Sequence, residues 1–480
     1  MRSRRLALYL LCSGMLMIVL DISIVNVALP SIQHDLGFSP SGLAWVVNAY
    51  LIAFGGLLLL AGRIGDLFGR RRVFLAGLAA FTAASALCGF ADSPALLVIA
   101  RFVQGTGGAL TSAVILGMIV TMFPEPREQA QAIGVYAFVA SAGGAVGALA
   151  GGVLTQLVSW HWIFFVNVPI GMAGVALAAR LLPADEPTTA QRGSTDVAGA
   201  VLITAALMLG VYTIVVPGAD RGWSDGITLT SAALAVGLLA GFVAREASAS
   251  APLMPLRILR SRNVAGANVM QLVGAGGMFG AFFLGALYMQ HVWHYGPLEI
   301  GLAFLPVSVL MGGLSVRYSE RLVTRFGLGR VMLPGLVLIA LGLVLLAVVP
   351  QRGSYVVHLL PAMVLLGTGA GLAFPPLMTL SMSGVAPADA GLASGLVNTT
   401  GQVGAAIGLA VLATTSATRT ATLLGAGATP AAALTGGYHL AFWVAAGLLV
   451  AAVAVALVVV PLSRSTQERA DETDTALVAA

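Results

Sequence analysis

Charged residues are scarce in this chain, and lysine is missing altogether. Only 9% of the 480 residues are charged, whereas 58% are hydrophobic, and all 24 basic residues are arginine. A soluble domain carries roughly a quarter charged residues, so this chain lacks the charge to cover a globular surface in water. Apolar runs of about twenty residues, the length of a membrane-spanning helix, recur along its whole length. The sequence therefore predicts an all-α, polytopic protein embedded in a lipid bilayer.

Signals for cofactors and covalent cross-links are equally sparse. The two cysteines, Cys12 and Cys88, both fall inside predicted spans, which argues against a disulfide framework. The sequence has no Walker A pattern and no cluster of His, Cys and acidic residues with metal-ligand spacing. We therefore expect neither an ATP-driven protein, nor a metal site, nor an enzyme. Arginine anchors at the cytoplasmic face explain the net charge of +5, so we expect no nucleic-acid partner.

The apolar runs predict fourteen membrane spans. We place them at 6–30, 41–62, 73–92, 94–122, 130–158, 162–182, 195–217, 227–245, 263–291, 298–318, 331–349, 354–378, 391–417 and 439–461. If the N-terminus is inside, arginine is concentrated in cytoplasmic loops, tails and span ends, and the exceptions are Arg101, Arg221, Arg352 and Arg419. This bias follows the positive-inside rule and predicts both termini in the cytoplasm.

Two similar loops indicate an internal repeat. "GRIGDLFGRRR" at 62–72 follows span 2, and "SERLVTRFGLGR" at 319–330 follows span 10. Each carries an acid, a glycine after phenylalanine and several arginines. Two related bundles around a central path are typical of secondary transporters. We therefore predict an N-terminal six-helix bundle at 1–182, a linker with two extra spans at 183–262, a C-terminal six-helix bundle at 263–461, and a disordered cytoplasmic tail at 462–480.

Two charged residues, Asp21 and Arg101, stand deep inside apolar spans. At 1.5 Å per residue, Asp21 lies about 13 Å from Pro30 and Arg101 about 10 Å from Pro94, so both occupy the outer half of the membrane. Intramembrane ionisable residues mark ion pathways, although a static structural pair would also explain them. Burial favours the neutral acid, whereas a nearby guanidinium favours the carboxylate. Asp21 is therefore our candidate proton-exchanging group, and Arg101 its partner.

The loop at 62–72 contains more than a positive membrane anchor requires. Arginine alone would serve as an anchor, but the loop also has a carboxylate and a glycine that permits a tight turn. We interpret the loop as a latch between helices that move past one another. The candidate latch residues are Gly62, Asp66, Gly69, Arg70 and Arg71.

Span 5 contains glycine at four-residue spacing. Gly143, Gly147 and Gly151 form one stripe on a helix, and Gly144 and Gly152 widen it. Small residues at this spacing predict close contact between membrane helices. A generic helix interface is the simpler interpretation, and a specific role follows only from the position of the stripe beside the span of Arg101.

Polar side chains within the spans are candidates for a substrate cavity. Hydrogen bonding between helices would explain each of them equally well. The candidates are Asn26, Asn48, Gln104, Asn167, Gln271, Tyr288, Gln290, Asn398 and Gln402.

With these motifs in place, the chain resembles the major facilitator superfamily, and within it the fourteen-span drug:proton antiporters. The resemblance covers residues 6–461 and rests on motifs that occur in the family's order. They are "LDISIVNVALP" (20–30), "GRIGDLFGRRR" (62–72), "RFVQGTGG" (101–108), "GAVGALAGG" (144–152), "WHWIFFVNVPIG" (160–171) and "SGLVNTTGQVGAAIG" (394–408). Ala148 stands where the helix-5 motif normally has proline.

The resemblance implies a specific fold and activity. The fold would be two six-helix bundles plus two inserted helices. The activity would be export of hydrophobic or amphipathic drugs or antibiotics across the bacterial inner membrane, by alternating access and in exchange for protons. The protein would act as a monomer, with the proton gradient as its energy source and no cofactor.

Two other functions remain open from the residues alone. The first is proton-coupled import of a small nutrient by the same fold. The second is a passive channel or a membrane receptor. One buried acid together with one buried arginine suits coupled transport better than it suits a pore.

Overall fold

The computed structural model of the chain describes residues 2–39, 42–123, 125–182, 196–215, 224–249, 252, 256–383 and 390–459. These residues form α-helices with one 3-10 helix at Leu256–Arg260, one π-helical segment at Tyr355–Leu359 and no strand. The all-helical architecture predicted from the apolar runs is confirmed.

The helices are numbered here in the order of the chain. In chain order they are α1 (Arg2–Leu36), α2 (Ala44–Phe68), α3 (Arg70–Gly89), α4 (Pro94–Met122), α5 (Pro126–Leu157), α6 (Trp162–Phe165), α7 (Asn167–Leu181), α8 (Val197–Val215), α9 (Gly226–Ser248), α10 (Arg262–His291), α11 (Pro297–Arg317), α12 (Ser319–Phe326), α13 (Leu328–Leu346), α14 (Leu360–Met382), α15 (Ala390–Gly425) and α16 (Pro430–Val459).

Twelve helical segments within the described residues are long and apolar enough to cross a membrane. The helices at predicted spans 2 and 5 carry shorter apolar segments, Ala44–Leu58 and Val146–Leu157. By this measure the structure supports twelve spans, and the predicted count of fourteen is not established by it.

Several helix boundaries differ from the predicted ones; for example, α15 continues to Gly425 instead of 417, and α16 begins at Pro430 instead of 439. The first span was predicted to end at Pro30, but α1 continues to Leu36, because an internal proline removes only one backbone hydrogen bond. The sixth predicted span is divided at Val166 into the short α6 and the longer α7. Helix ends are set by backbone hydrogen bonding, which the hydropathy of a span does not report.

The helices pack in two sets that meet mainly along two helix pairs, with smaller contacts of α1 on α10 and α11. α1 packs on α5, α2 on α4, and α3 on α4 and α7, whereas α10 packs on α15 and α16, and α13 on α14. Between the sets, α5 packs on α11 and α2 on α15. The hairpin of α8 and α9 lies beside this second contact, because α8 touches both α2 and α15.

The two loops of the sequence repeat share an unusual turn. Gly69, between α2 and α3, has φ 97° and ψ 132°, and Gly327, between α12 and α13, has φ 86° and ψ 153°. Each glycine N–H closes the preceding helix by donating to the residue four positions back, Gly65 or Val323. Such positive φ angles favour glycine strongly. The predicted repeat therefore extends to backbone conformation.

Large apolar side chains also cover much of the outside of the molecule. Val236 on α9 and Val458 on α16 are 65% and 66% exposed. Patches of this kind on a soluble monomer would mark an interaction surface. On helices that cross a membrane they face lipid, so the exposed apolar surface fits the predicted contact with the bilayer.

Candidate functional site

Asp21 and Arg101 form an ion pair in the interior of the protein. Nη1 of Arg101 on α4 lies 2.5 Å from Oδ2 of Asp21 on α1. Asp21 is 0% exposed and Arg101 is 1% exposed. The similar depth that the sequence predicts for the two charges brings them into direct contact.

Two amides and a hydroxyl complete the surroundings of the carboxylate. Nε2 of Gln104 donates to Oδ1 of Asp21 at 2.8 Å and to Oγ of Ser85 at 3.1 Å. Nδ2 of Asn167 donates to the same two oxygens at 3.2 Å and 3.1 Å. The Ser85 hydroxyl in turn donates to the carbonyl oxygen of Phe164 at 3.0 Å. Both oxygens of Asp21 therefore accept hydrogen bonds.

The guanidinium of Arg101 has further partners of its own. Its Nε donates to the carbonyl oxygen of Val46 at 2.9 Å, and its Nη1 also donates to Oε1 of Gln104 at 2.7 Å. The charged group lies over the ring of Tyr50, 4.4 Å from the centroid, where the ring face attracts a cation. Burying an ion costs several kcal/mol. The attraction between two buried ions offsets this cost only if their remaining hydrogen-bonding groups are also satisfied. These contacts supply that satisfaction, which explains why a carboxylate is tolerated in the middle of α1.

Sequence reasoning found part of this network. Asp21 and Arg101 were predicted as partners, and Gln104 and Asn167 were candidates for a cavity lining. The structure places both amides at the ion pair instead. Ser85 and Tyr50 were missed, because one serine or tyrosine in an apolar helix is common and carries no signal of its contacts.

The site is closed to both sides of the membrane in this structure. Ser85, Gln104 and Asn167 are each 0% exposed, like Asp21. The hydrogen-bonding side chains of the site come from α1, α3, α4 and α7. Helix α2 supplies the carbonyl of Val46 and the ring of Tyr50. Exchange of a proton at Asp21 would therefore require these helices to move relative to one another.

The glycine stripe of α5 lies directly on α1 at the level of Asp21. A Cβ atom added to Gly147 would lie 2.8 Å from the carbonyl oxygen of Leu20, and one added to Gly151 would lie 2.8 Å from that of Ile24. Only glycine permits such an approach to a neighbouring backbone. Close helix contact is present at these positions, and a role of the stripe in antiport stays a prediction.

The same helix also contacts α11. A Cβ atom at Gly152 would lie 2.8 Å from the carbonyl oxygen of Pro297, and the backbone N–H of Leu298 donates to Oε1 of Gln156 at 3.1 Å. α5 runs without a break through Ala148, the position where the family motif has proline. It therefore lies as one uninterrupted helix between α1 and α11. A Cβ atom added to Gly143 would lie 3.1 Å from Cγ1 of the Val19 side chain on α1.

The predicted latch residues tie neighbouring helix ends together. Nη1 of Arg70 donates to the carbonyl oxygen of Gly117 on α4 at 2.9 Å, and Nη2 of Arg71 donates to that of Ala179 on α7. Arginine at a helix C-terminus also interacts favourably with the helix dipole. Gly62 lies in the last turns of α2, with open space where a Cβ would be. The side chain of Asp66 lies outside the part of the chain that the structure describes.

We expect Gly69→Val to cut transport strongly while the protein still inserts into the membrane. A β-branched residue at φ 97° costs about 1–3 kcal/mol, and this strain falls on the turn that sets α2 against α3. The measurement is drug efflux from cells with matched protein levels. Gly313→Val is the control, because Gly313 has an ordinary φ and open space around its Cβ. Equal efflux by both variants would contradict the latch interpretation.

Three of the predicted cavity residues lie on α1, α2 and α15. Nδ2 of Asn26 donates to the carbonyl oxygen of Ile22 on its own helix at 2.9 Å. Asn48 is 0% exposed, and neither polar atom of its side chain has a hydrogen-bond partner among the described residues. Gln402 of α15 lies against Gly55 of α2, with its Oε1 buried. Gln402 thus lies where the two sets of helices meet.

The other cavity candidates belong to α10 and α15. The Tyr288 hydroxyl donates to the carbonyl oxygens of Val349 and Pro350 at 3.0 Å, which fits the alternative interpretation of hydrogen bonding between helices. Oε1 of Gln290 is buried, Gln271 lies against Gly401, and Asn398 is exposed. A cavity of about 310 Å³ between α8, α15 and α16 is lined by none of the predicted residues. Its lining is Ile214, Val411, Thr414, Thr415, Thr418, Arg419, Thr422 and Leu440.

The described residues form an all-helical bundle, with helices long enough to span a membrane and a sealed ion pair in its interior, which is the architecture of a polytopic membrane protein. The chain belongs to the Major Facilitator Superfamily, whose sequence model matches residues 11–409. It is therefore a transporter and not an enzyme.

Several relatives carry names that refer to antibiotic export or resistance. The chain is 38% identical over 477 residues to the puromycin resistance protein pur8 of Streptomyces alboniger, covering 98% of this chain and 93% of that protein. It is 40% identical over 418 residues to the cephamycin export protein CmcT of Amycolatopsis lactamdurans, covering 86% and 85%. These similarities support a drug efflux transporter.

Among solved structures, the fold is similar to that of a bacterial homologue of the human lysosomal transporter Spinster in an inward-facing, unoccupied conformation. The TM-score is 0.67, the identity 16%, and the similarity covers 95% of this chain and 97% of the other. The nucleoside transporter NupG gives a TM-score of 0.65 at 12% identity, covering 94% and 99%. At these identities the likeness establishes the fold alone.

Proposed function

We propose that the protein is a proton-coupled antiporter that exports hydrophobic or amphipathic antibiotics across the bacterial inner membrane by alternating access. The observation that carries the proposal is the buried pair of Asp21 and Arg101, 2.5 Å apart. The relatives named for puromycin resistance and cephamycin export support the substrate class.

The proposed coupling follows from the physics of the buried carboxylate. An exporter driven by protons needs a group that is ionised in one access state and neutral in the other. Ionised Asp21 is stabilised here by the contact with Arg101 and by two amide donors. If the helices move apart, the carboxylate loses these partners, and protonation becomes favourable because an unpaired charge in the membrane interior is costly. Proton uptake and helix movement are thereby coupled.

The movement itself would centre on the helix pairs that join the two sets. Near the outer side, α5 and α11 meet through Gly152 and Gln156, and α5 also lies on the backbone of α1 beside Asp21. A shift of α5 against either neighbour therefore acts on the site. The loop at 62–72 would serve as the latch, since Arg70 and Arg71 join α3 to α4 and α7.

The remaining architecture is part of the same proposal. α2 and α5 would be membrane spans as well, giving fourteen in total, with both termini in the cytoplasm. The units would be bundles at 1–182 and 263–461, joined by the linker with two spans at 183–262 and followed by the tail at 462–480. Residues 183–195 of the linker and the whole tail lie outside the described residues. We propose a monomer that uses the proton gradient without a cofactor.

Transport by inverted membrane vesicles tests this proposal. We expect vesicles that contain the protein to accumulate an amphipathic antibiotic such as puromycin when a pH gradient, acid inside, is imposed. A protonophore should abolish the accumulation, and vesicles from the same host without the protein provide the control. A nutrient importer would not concentrate the antibiotic in this orientation. A passive channel would equilibrate it regardless of the gradient, so either outcome would contradict the proposal.

A further inference from the structure

The side-chain oxygen of Asn167, beside the ion pair, has no hydrogen-bond partner among the described residues. Oδ1 of Asn167 is buried and accepts no hydrogen bond from any described residue, although the Nδ2 of the same amide donates to Asp21 and Ser85. Buried polar side-chain atoms almost always have a partner in folded proteins. Oδ1 of Asn167 is an exception to this rule. It lies next to Asp21, the one buried carboxylate in the described part of α1, so its missing donor needs an explanation.

The chemistry of the carboxyl group supplies one. An ionised carboxylate only accepts hydrogen bonds, whereas a protonated acid also has an O–H that must donate. In the present structure every group that reaches Asp21 donates to it: Arg101, Gln104 and Asn167. This arrangement fits the ionised form, and it offers no acceptor for the proton of the acid.

Two of the neighbouring oxygens are already occupied. Oε1 of Gln104 accepts from Nη1 of Arg101 at 2.7 Å and from Sγ of Cys88 at 3.6 Å. The Ser85 hydroxyl donates to the Phe164 carbonyl and accepts from both amides. Among the described side chains that touch Asp21 or Ser85, Oδ1 of Asn167 is thus the acceptor that remains vacant.

We infer that Asn167 is a positioning residue that follows the protonation of Asp21 by turning its amide. With Asp21 ionised, Nδ2 donates to the carboxylate. With Asp21 protonated, a half-turn about the Cβ–Cγ bond brings Oδ1 to the carboxyl group, where it accepts the acid O–H. The same side chain thereby offers a donor to the carboxylate and an acceptor to the acid.

The position of Asn167 links the rotation of its amide to the packing of the neighbouring helices. Asn167 is the first residue of α7, and the carbonyl of Phe164, which holds Ser85 of α3, lies in the preceding α6. When the amide turns, Nδ2 leaves Ser85, so the link between α3 and the start of α7 changes together with the charge of Asp21. The inference rests on the proposed proton exchange at Asp21.

The test compares Asn167→Leu with the parent protein and with Asn268→Leu. Leucine has nearly the shape of asparagine but neither donates nor accepts. The acid form of Asp21 then loses its acceptor, and the carboxylate loses one donor but keeps Arg101 and Gln104. Because each protonation state loses one hydrogen bond, the pH of half-maximal transport should stay within about half a unit of the parent value. If Asn167 were only a donor, the carboxylate alone would lose a hydrogen bond, and the pH of half-maximal transport would rise by about one unit, since one hydrogen bond contributes about tenfold in an equilibrium constant. The KM for the antibiotic should stay unchanged.

Asn268→Leu is a matched control, since Asn268 is a buried amide in α10 whose partners are Val264 and Thr400. It should leave the pH of half-maximal transport where the parent has it. A rise of about one unit in Asn167→Leu, with none in Asn268→Leu, would mean that Asn167 only donates and would overturn the inference.

Infrared difference spectra provide a second measurement that does not depend on transport. The C=O stretch of protonated Asp21 is assigned as the band that Asp21→Asn removes. In the parent it should lie where a hydrogen-bonded acid absorbs, and in Asn167→Leu at the higher wavenumber of a free acid. If the Asn167→Leu protein cannot be produced in the membrane, the parent alone still tests the inference. A C=O band of the parent at the wavenumber of a free acid would overturn it. Gradient-driven transport by Asp21→Asn would instead defeat the proposed function, so the two failures are distinguishable.

Discussion

Asp21→Asn is expected to eliminate transport driven by a pH gradient while leaving the antibiotic bound. Asparagine has the size of the protonated acid but cannot lose a proton, so the step that couples proton release to helix movement is absent. The measurement is accumulation of the antibiotic in inverted vesicles under an imposed gradient, together with binding to the purified protein. Asp21→Glu should retain part of the activity, because it keeps an exchangeable carboxyl group at a slightly different position.

Loss of folding must be separated from loss of coupling in this variant. Removing one partner of a buried ion pair costs about 3–5 kcal/mol, although Arg101 would keep its contacts with Val46, Gln104 and Tyr50. Thermal unfolding of the purified protein reports this cost. Asp35→Asn is the matched control, because Asp35 is a second carboxylate of α1 and accepts from Trp160 Nε1 at 2.8 Å, away from the pair. Uphill transport by Asp21→Asn at the parent rate would assign Asp21 to structure alone.

The second large effect is expected at Gly147. Even Gly147→Ala would set its Cβ 2.8 Å from the carbonyl oxygen of Leu20 and from Cβ of Ser23, and the backbone of α1 cannot yield locally. Overpacking of this kind costs about 1–3 kcal/mol and displaces α5 from α1 at the level of Asp21, so we expect efflux to fall severalfold. Gly147→Leu should abolish it. Rates of antibiotic efflux at equal protein levels provide the measurement.

Gly144→Ala offers a close comparison on the same helix. Its Cβ would lie 3.7 Å from Oγ of Ser23, an ordinary van der Waals distance, so efflux should remain near the parent rate. The two variants add the same methyl group one turn apart and differ only in the space around it. If Gly147→Ala exports as well as Gly144→Ala, tight contact between α5 and α1 is not needed for transport.

Much of the fold was accessible from the sequence, because the bilayer restricts the possible structures so strongly. A backbone in lipid must satisfy its hydrogen bonds internally, so long apolar runs become helices. The sequence also predicted the loop repeat, because each loop has a glycine after phenylalanine between two helices. In the structure, Gly69 and Gly327 adopt nearly the same φ and ψ. Helix ends were less accessible, as the extension of α1 to Leu36 and the break at Val166 illustrate.

At the site, the sequence by itself determined which residues carry charge and how deep they lie. A carboxylate and an arginine inside apolar runs stand out because their burial needs a compensating partner. Depth along two antiparallel helices then predicted that Asp21 and Arg101 could meet, and they are in contact.

Only the tertiary structure decided the rest of the network. Ser85, Asn167 and Tyr50 come from three further helices, α3, α7 and α2, and uncharged polar residues in membrane helices carry no signal of their partners. Their direction depends on how each helix is rotated and how closely it packs, which the glycines of α5 allow but do not specify. The hydrogen bonds that Asp21 accepts, and the vacant acceptor of Asn167, therefore arise from packing across five helices. The composition of no single helix encodes that packing.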